Sequence, residues 1–141
     1  MSFQKSFLVL GAALFLSGLL TGLATGVMAN PRMGLSAHMQ GLTNGTFLIA
    51  VGATWRFVEL GKTAARATFW LLAYGTTVNW LSTTLAAAWN TGDMTPIHGP
   101  SPTAQPWQEL IVTVGLLSLT LAMIAGTILL LLGYIQKRGE N

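Results

Sequence analysis

His38 is the residue in this chain that most needs a chemical reason, because it lies in the run MGLSAHMQGLTNG inside a long apolar stretch. Gly34, Gly41, Gly45 and Gly52 stand at offsets −4, +3, +7 and +14 from it. On a helix turning about 100° per residue, all four fall within roughly 60° of the histidine's direction. The spacing therefore predicts a histidine in a groove floored by glycine. A flat, bulky ligand fits beside an imidazole where side chains are missing; haem has that shape, and a neutral imidazole is a normal axial ligand for its iron. The alternative is a histidine bonded to a carbonyl of a neighbouring helix, with the glycines only allowing close packing. His98 falls in a proline-rich segment. An electron carrier with two histidines per haem is thus hard to build from one chain, and a single histidine leaves the far side of the iron open unless another subunit supplies a sixth ligand.

A second set is made of neutral polar groups. Asn44 lies about 120° around the helix from His38 and faces a different neighbour. Further on, Thr76, Asn79 and Thr83 fall at i, i+3 and i+7, one polar helix face that can meet Asn44 across an interface. Amides orient a small polar substrate without the desolvation cost of a charge. The same residues also serve as interhelical glue. No carboxylate pair lies in an apolar run, and no GxSxG, HExxH or phosphate-cradling glycine loop occurs. Arg56, Glu59, Lys62 and Arg66 read as a snorkelling edge cluster, with Arg56 and Glu59 able to pair at i, i+3. A proton-coupled transporter usually needs a carboxylate within the membrane, whereas Glu59, Asp93 and Glu109 sit at edges.

The elements that must position these groups are four apolar runs at about 7–28, 34–59, 64–89 and 109–135. Each is near the ~20 residues that cross a bilayer. The first ends at Asn30-Pro31, where proline stops a helix. Val27-Met28-Ala29 resembles a signal-peptidase site, but an apolar region of about 22 residues exceeds the ~7–15 of a signal peptide. Gly18, Gly22 and Gly26 repeat every four residues and predict close approach of another backbone. Four of the five prolines lie between Gly92 and Pro106, a surface loop. Trp89, Trp107 and Tyr134 stand at run ends, where amphipathic rings favour the interface.

Composition sets the frame. Of 141 residues, 52% are hydrophobic and 8% charged, far below the ~25% of a soluble domain. The net charge of +3 comes from cations scattered at the edges of apolar runs, not from a nucleic-acid stripe. Lys and Arg number one, three and two at the N-terminus, middle loop and C-terminus, against Arg32 alone in the other loops, which puts both termini in the cytoplasm. With no cysteine, disulfides, thiolate metal sites and covalent haem attachment are excluded. The expectation is an all-α, single-domain, four-helix bundle spanning a bacterial-type inner membrane.

The segment MANPRMGLSAHMQGLTNGTFLIAVG, with SGLLTGLATGV before it and GKTAARATFWLLAYGTTVNW after, resembles the hydroxylaminobenzene mutases. More distantly, His38, Asn44-Gly45, Lys62-Thr63-Ala64 and Asn79 are similar to the pattern of styrene oxide isomerases. The resemblance implies a membrane isomerase that converts an arylhydroxylamine to the ortho-aminophenol, or an epoxide to a carbonyl compound, without net redox change. It further implies a trimer with haem b near subunit interfaces, His38 on the iron and Asn44 orienting substrate. The isomerases carry a tyrosine four residues after the asparagine matching Asn79; here that position is Thr83. Gly41 and Gly45 become the haem-facing floor under this reading, Asn79 and Thr83 further substrate contacts, and Arg32 a candidate partner for haem propionates.

Overall fold

The structure is a computed structural model and describes residues 2–96 and 101–136. His98, Lys137 and Arg138 lie outside the described residues. Four helices follow in chain order, α1 (Phe3–Ala24), α2 (Pro31–Thr54), α3 (Lys62–Trp89) and α4 (Pro106–Ile135), and no strand occurs among the described residues.

Each boundary has a local cause. Ser2 caps α1 by accepting from the Lys5 amide. A short 3-10 turn over Thr25–Val27 ends the first apolar run. Asn30 then caps α2, its side chain accepting from Met33 N at 3.1 Å, with Pro31 in the first turn where its missing N–H costs nothing. The second helix stops earlier than the apolar pattern predicts: after Thr54 a 3-10 turn runs over Trp55–Phe57, and Glu59 lies in an extended link instead of the helix. The Glu59 amide donates to Gly133 O at 2.8 Å, which ties this link to the end of α4. At the close of α3, Asn90 takes the left-handed conformation (φ 54°) that asparagine tolerates as a helix stop. Gln105 and Gln108 form a reciprocal capping box at the start of α4.

Phe3 on α1 stacks near both Trp55, just after α2, and Phe69 on α3, so these three ends lie together. Trp89 and Trp107 meet edge-on at the opposite end. Lys5, Arg56, Lys62 and Arg66 therefore share one end, and Arg32 stands at the other. Arg56 follows α2 in the 3-10 turn, and its guanidinium lies 4.7 Å from the centre of the Phe57 ring. Tyr134 bonds Thr54 at the first end.

Packing follows chain order: α1 on α2, α2 on α3 and α3 on α4, with a smaller α1–α3 contact. The core is built from Phe7, Leu14, Leu48, Val51, Leu72 and Leu130, with a second cluster around Met33, Ala86, Ala87 and Val112. α4 leans on α3 and leaves a broad apolar face exposed, including Leu110, Val114, Leu117, Leu121, Ile124 and Leu131. An apolar face of this extent is unfavourable in water. Two helical stretches, Phe3–Val27 and Pro106–Ile135, are long and apolar enough to cross a membrane. α2 and α3, with 24 and 28 residues, have the length but carry the polar groups.

Candidate functional site

α2 presents two polar edges to two different neighbours. Its buried face carries Gly34, Ala37, Gly41, Asn44, Gly45, Leu48 and Gly52, and meets α1 on one side and α3 on the other. His38 marks the α1 edge. Gln40, two residues and about 200° further round, marks the α3 edge.

The glycines beside His38 are occupied by protein. A Cβ on Gly45 would stand 2.6 Å from Phe15 N and 2.7 Å from Gly11 O, and one on Gly41 would run into the Gly18 Cα. The open groove expected from the spacing is therefore closed by α1. Glycine is used here so that two backbones touch, which gains dispersion contacts where neither lipid nor water can enter. Of the three glycines spaced by four residues, Gly18 serves the backbone approach predicted for it, Gly22 meets the His38 ring instead of a backbone, and Gly26, in the 3-10 turn, faces open space.

The imidazole packs against α1 at Gly22. His38 Nδ1 lies 2.8 Å from Gly18 O, and a Cβ on Gly22 would stand 2.6 Å from the same nitrogen. A carbonyl oxygen only accepts, so Nδ1 carries the proton and Nε2 keeps its lone pair. Nε2 has no hydrogen-bond partner, yet no buried side-chain nitrogen or oxygen among the described residues lacks one. Nε2 therefore reaches the molecular surface. A histidine whose Nδ1–H is fixed on a backbone carbonyl has the tautomer and ring orientation of a metal ligand. No group of three or more metal-ligating side chains occurs among the described residues.

At the other edge, the polar face of α3 does meet Asn44, but through a residue that the sequence reading passed over. Gln40 Oε1 accepts from Asn79 Nδ2 at 3.0 Å and from Asn44 Nδ2 at 3.4 Å. Gln40 carried a signal, since it stands one turn before Asn44, within reach at i, i+4. Thr76 and Thr83 do not join this set with their hydroxyl protons. Thr76 donates to Leu72 O and Thr83 to Asn79 O, each one turn back in α3. Trp80 crosses behind the cluster, its indole N–H donating to Thr21 Oγ1 on α1 at 3.0 Å. Arg32 is exposed in the first turn of α2, about 9 Å along the axis from His38 at 1.5 Å per residue.

The chain thus offers an imidazole on one edge of α2 and an amide cluster on the other. Between them runs an exposed stripe of Leu35, Met39, Thr43, Thr46 and Ala50. The Thr43 and Thr46 hydroxyls bond back to Met39 O and Leu42 O, so even these positions present methyl groups outward.

Comparison with known proteins matches residues 3–135 to the family model described as styrene oxide isomerase. The chain is 47% identical to hydroxylaminobenzene mutase HabA of Ectopseudomonas oleovorans over 127 residues, 89% of this chain and 94% of the relative. It is 45% identical to hydroxylaminobenzene mutase HabB of the same organism over 130 residues, 92% of this chain and 79% of the relative. No solved structure matches.

Proposed function

The chain belongs to the styrene oxide isomerase family and is an isomerase of the mutase kind; from that premise we propose that it converts hydroxylaminobenzene-type arylhydroxylamines to 2-aminophenols. The observation that carries the substrate is the 47% identity to a hydroxylaminobenzene mutase along nearly the whole of both chains. In this reaction the hydroxyl leaves nitrogen and bonds the ortho carbon, and the proton on that carbon is replaced by one on nitrogen. Atoms and electrons balance without an outside oxidant.

We further propose that His38 holds haem b through Nε2. The fit rests on the anchored Nδ1–H and the lone pair at the surface. When bound, ferric haem supplies a Lewis acid for the hydroxylamine oxygen. The chain's own residues do the rest: Asn44 and Asn79 hold the amine end and set the ring so that the ortho carbon faces the departing oxygen. Thr83 contributes its methyl and carries no phenol, so ring placement falls to the amides. Arg32 is the proposed partner of a haem propionate. Gly41 and Gly45 act beneath His38, keeping α1 close enough for Gly18 O to orient it.

His38 and the amides stand on opposite edges of α2, which favours a homo-oligomer in which one copy's His38 edge faces the next copy's amide edge. A trimer with the apolar α2 stripes buried meets that requirement. The charge distribution supports four spans in a cytoplasmic membrane with both termini inside, since Lys5, Arg56, Lys62 and Arg66 gather at one end. A second reading, isomerisation of an epoxide to an aldehyde, is favoured by the family model itself.

The test is direct. Protein purified in detergent should show a Soret band and stoichiometric iron, and should turn hydroxylaminobenzene into 2-aminophenol. His38→Ala should lose the band and the activity together. Absence of iron in active protein refutes the haem assignment, and conversion of styrene oxide without conversion of hydroxylaminobenzene favours the second reading.

A further inference from the structure

The amide cluster has a polarity, and Gln40 sets it. One oxygen, Gln40 Oε1, takes an N–H from each asparagine. In a planar amide whose nitrogen points at Gln40, the oxygen is turned away from Gln40, and this holds for Oδ1 of both Asn44 and Asn79. Neither Oδ1 has a partner, and both are accessible, since no buried side-chain oxygen among the described residues is unpartnered. The neighbouring Thr83 hydroxyl offers no competing donor because its proton is directed to Asn79 O at 2.8 Å.

We infer that Gln40 is a positioning residue that fixes both asparagines with their carbonyls toward the substrate, and that the site thereby selects aromatic compounds that donate hydrogen bonds over those that only accept. This rests on the reading of Asn44 and Asn79 as substrate contacts and adds a reason for the choice between its two candidate substrates. A hydroxylamine brings N–H and O–H donors to two carbonyls. An epoxide brings only an acceptor, which would face two like-signed dipoles and leave them unpaired.

The experiment uses the full-length protein and two ring compounds that are not turned over, aniline as donor and benzaldehyde as acceptor, with binding followed by tryptophan fluorescence. Wild-type protein should prefer aniline by about tenfold, the worth of one neutral hydrogen bond. Gln40→Met keeps the side chain's length without an acceptor and frees both asparagines to rotate, so the preference should fall to near unity. Gln40→Glu keeps an acceptor and should keep the preference. Both ligands are measured on one sample, so a reduced folded fraction cancels from the ratio. An unchanged ratio in Gln40→Met, or a Gln40→Glu protein that behaves like Gln40→Met, overturns the inference. Turnover of hydroxylaminobenzene is assayed separately: loss of selectivity control with mutase activity intact removes Gln40's role alone, whereas selectivity that follows Gln40 in a protein without mutase activity removes the mutase reading alone.

Discussion

Replacing Gly22 by alanine should damage His38 more than it damages the fold. The new Cβ would stand 2.6 Å from His38 Nδ1 and 2.9 Å from Cε1, where ordinary contact begins at 3.4 Å. The ring must withdraw by about 0.8 Å, and the Nδ1–H···O bond to Gly18, 2.8 Å long, then stretches to as much as ~3.6 Å, beyond hydrogen-bonding distance. Losing that bond costs roughly 0.5–1.5 kcal/mol. Alanine returns about 0.5–1 kcal/mol as the better helix former. The net change in stability is therefore within about 1 kcal/mol, a small shift of the melting temperature. The imidazole, however, loses the partner that fixes its tautomer and direction, and loss of such a partner lowers affinity or activity by about 10–100-fold. The assay compares Gly22→Ala with Gly26→Ala, whose Cβ meets nothing within 4 Å, in Soret absorbance, mutase turnover and thermal unfolding. Wild-type turnover in Gly22→Ala, or equal losses in the two variants, would refute the argument that this hydrogen bond orients the histidine.

Two other perturbations separate packing from the loop end. Gly41→Val places a branched side chain into the Gly18 backbone, which no rotamer relieves; α1 and α2 should separate, with a loss of several kcal/mol read as detergent-induced unfolding and loss of helicity. Glu109→Gln leaves one oxygen for the two amides the carboxylate now accepts from, Gly92 N at 2.8 Å and Asp93 N at 3.2 Å, so one hydrogen bond, about 0.5–1.5 kcal/mol of local stability, should be lost together with the charge assistance on the other. Hydrogen exchange at the amides of Gly92 and Asp93 should rise while that of α1 and α2 stays unchanged.

Most of the helical content was legible because apolar runs and stop signals are local. Asn30-Pro31 and Asn90 end and begin elements through their own backbone preferences, and the helices begin and end within a few residues of the predicted runs. The exception, Glu59, is local only in part. Its place outside α2 depends on Gly133, which accepts from its amide 74 residues later in the chain and allows Val58 and Leu60 to settle against it. Gln40 stands one turn before Asn44, but that spacing alone does not say which way either amide points. Its meaning comes from Asn79, 39 residues away.

Read alone, the sequence determined that the chain is rich in apolar helix, that charge is kept to helix ends, and that His38 shares a helix face with a row of glycines. Those are consequences of composition and of a 3.6-residue period. Only the tertiary structure decided what the glycine row is for. A missing side chain specifies a space but not its occupant; at Gly41 and Gly45 that space is filled by the backbone of α1, and at Gly34 and Gly52 by Met28, Thr25, Phe7 and Leu8, which turns the row from a ligand floor into the wall that orients His38. The same packing sends the histidine and the amides to opposite edges of α2, because one helix cannot face two neighbours with one side.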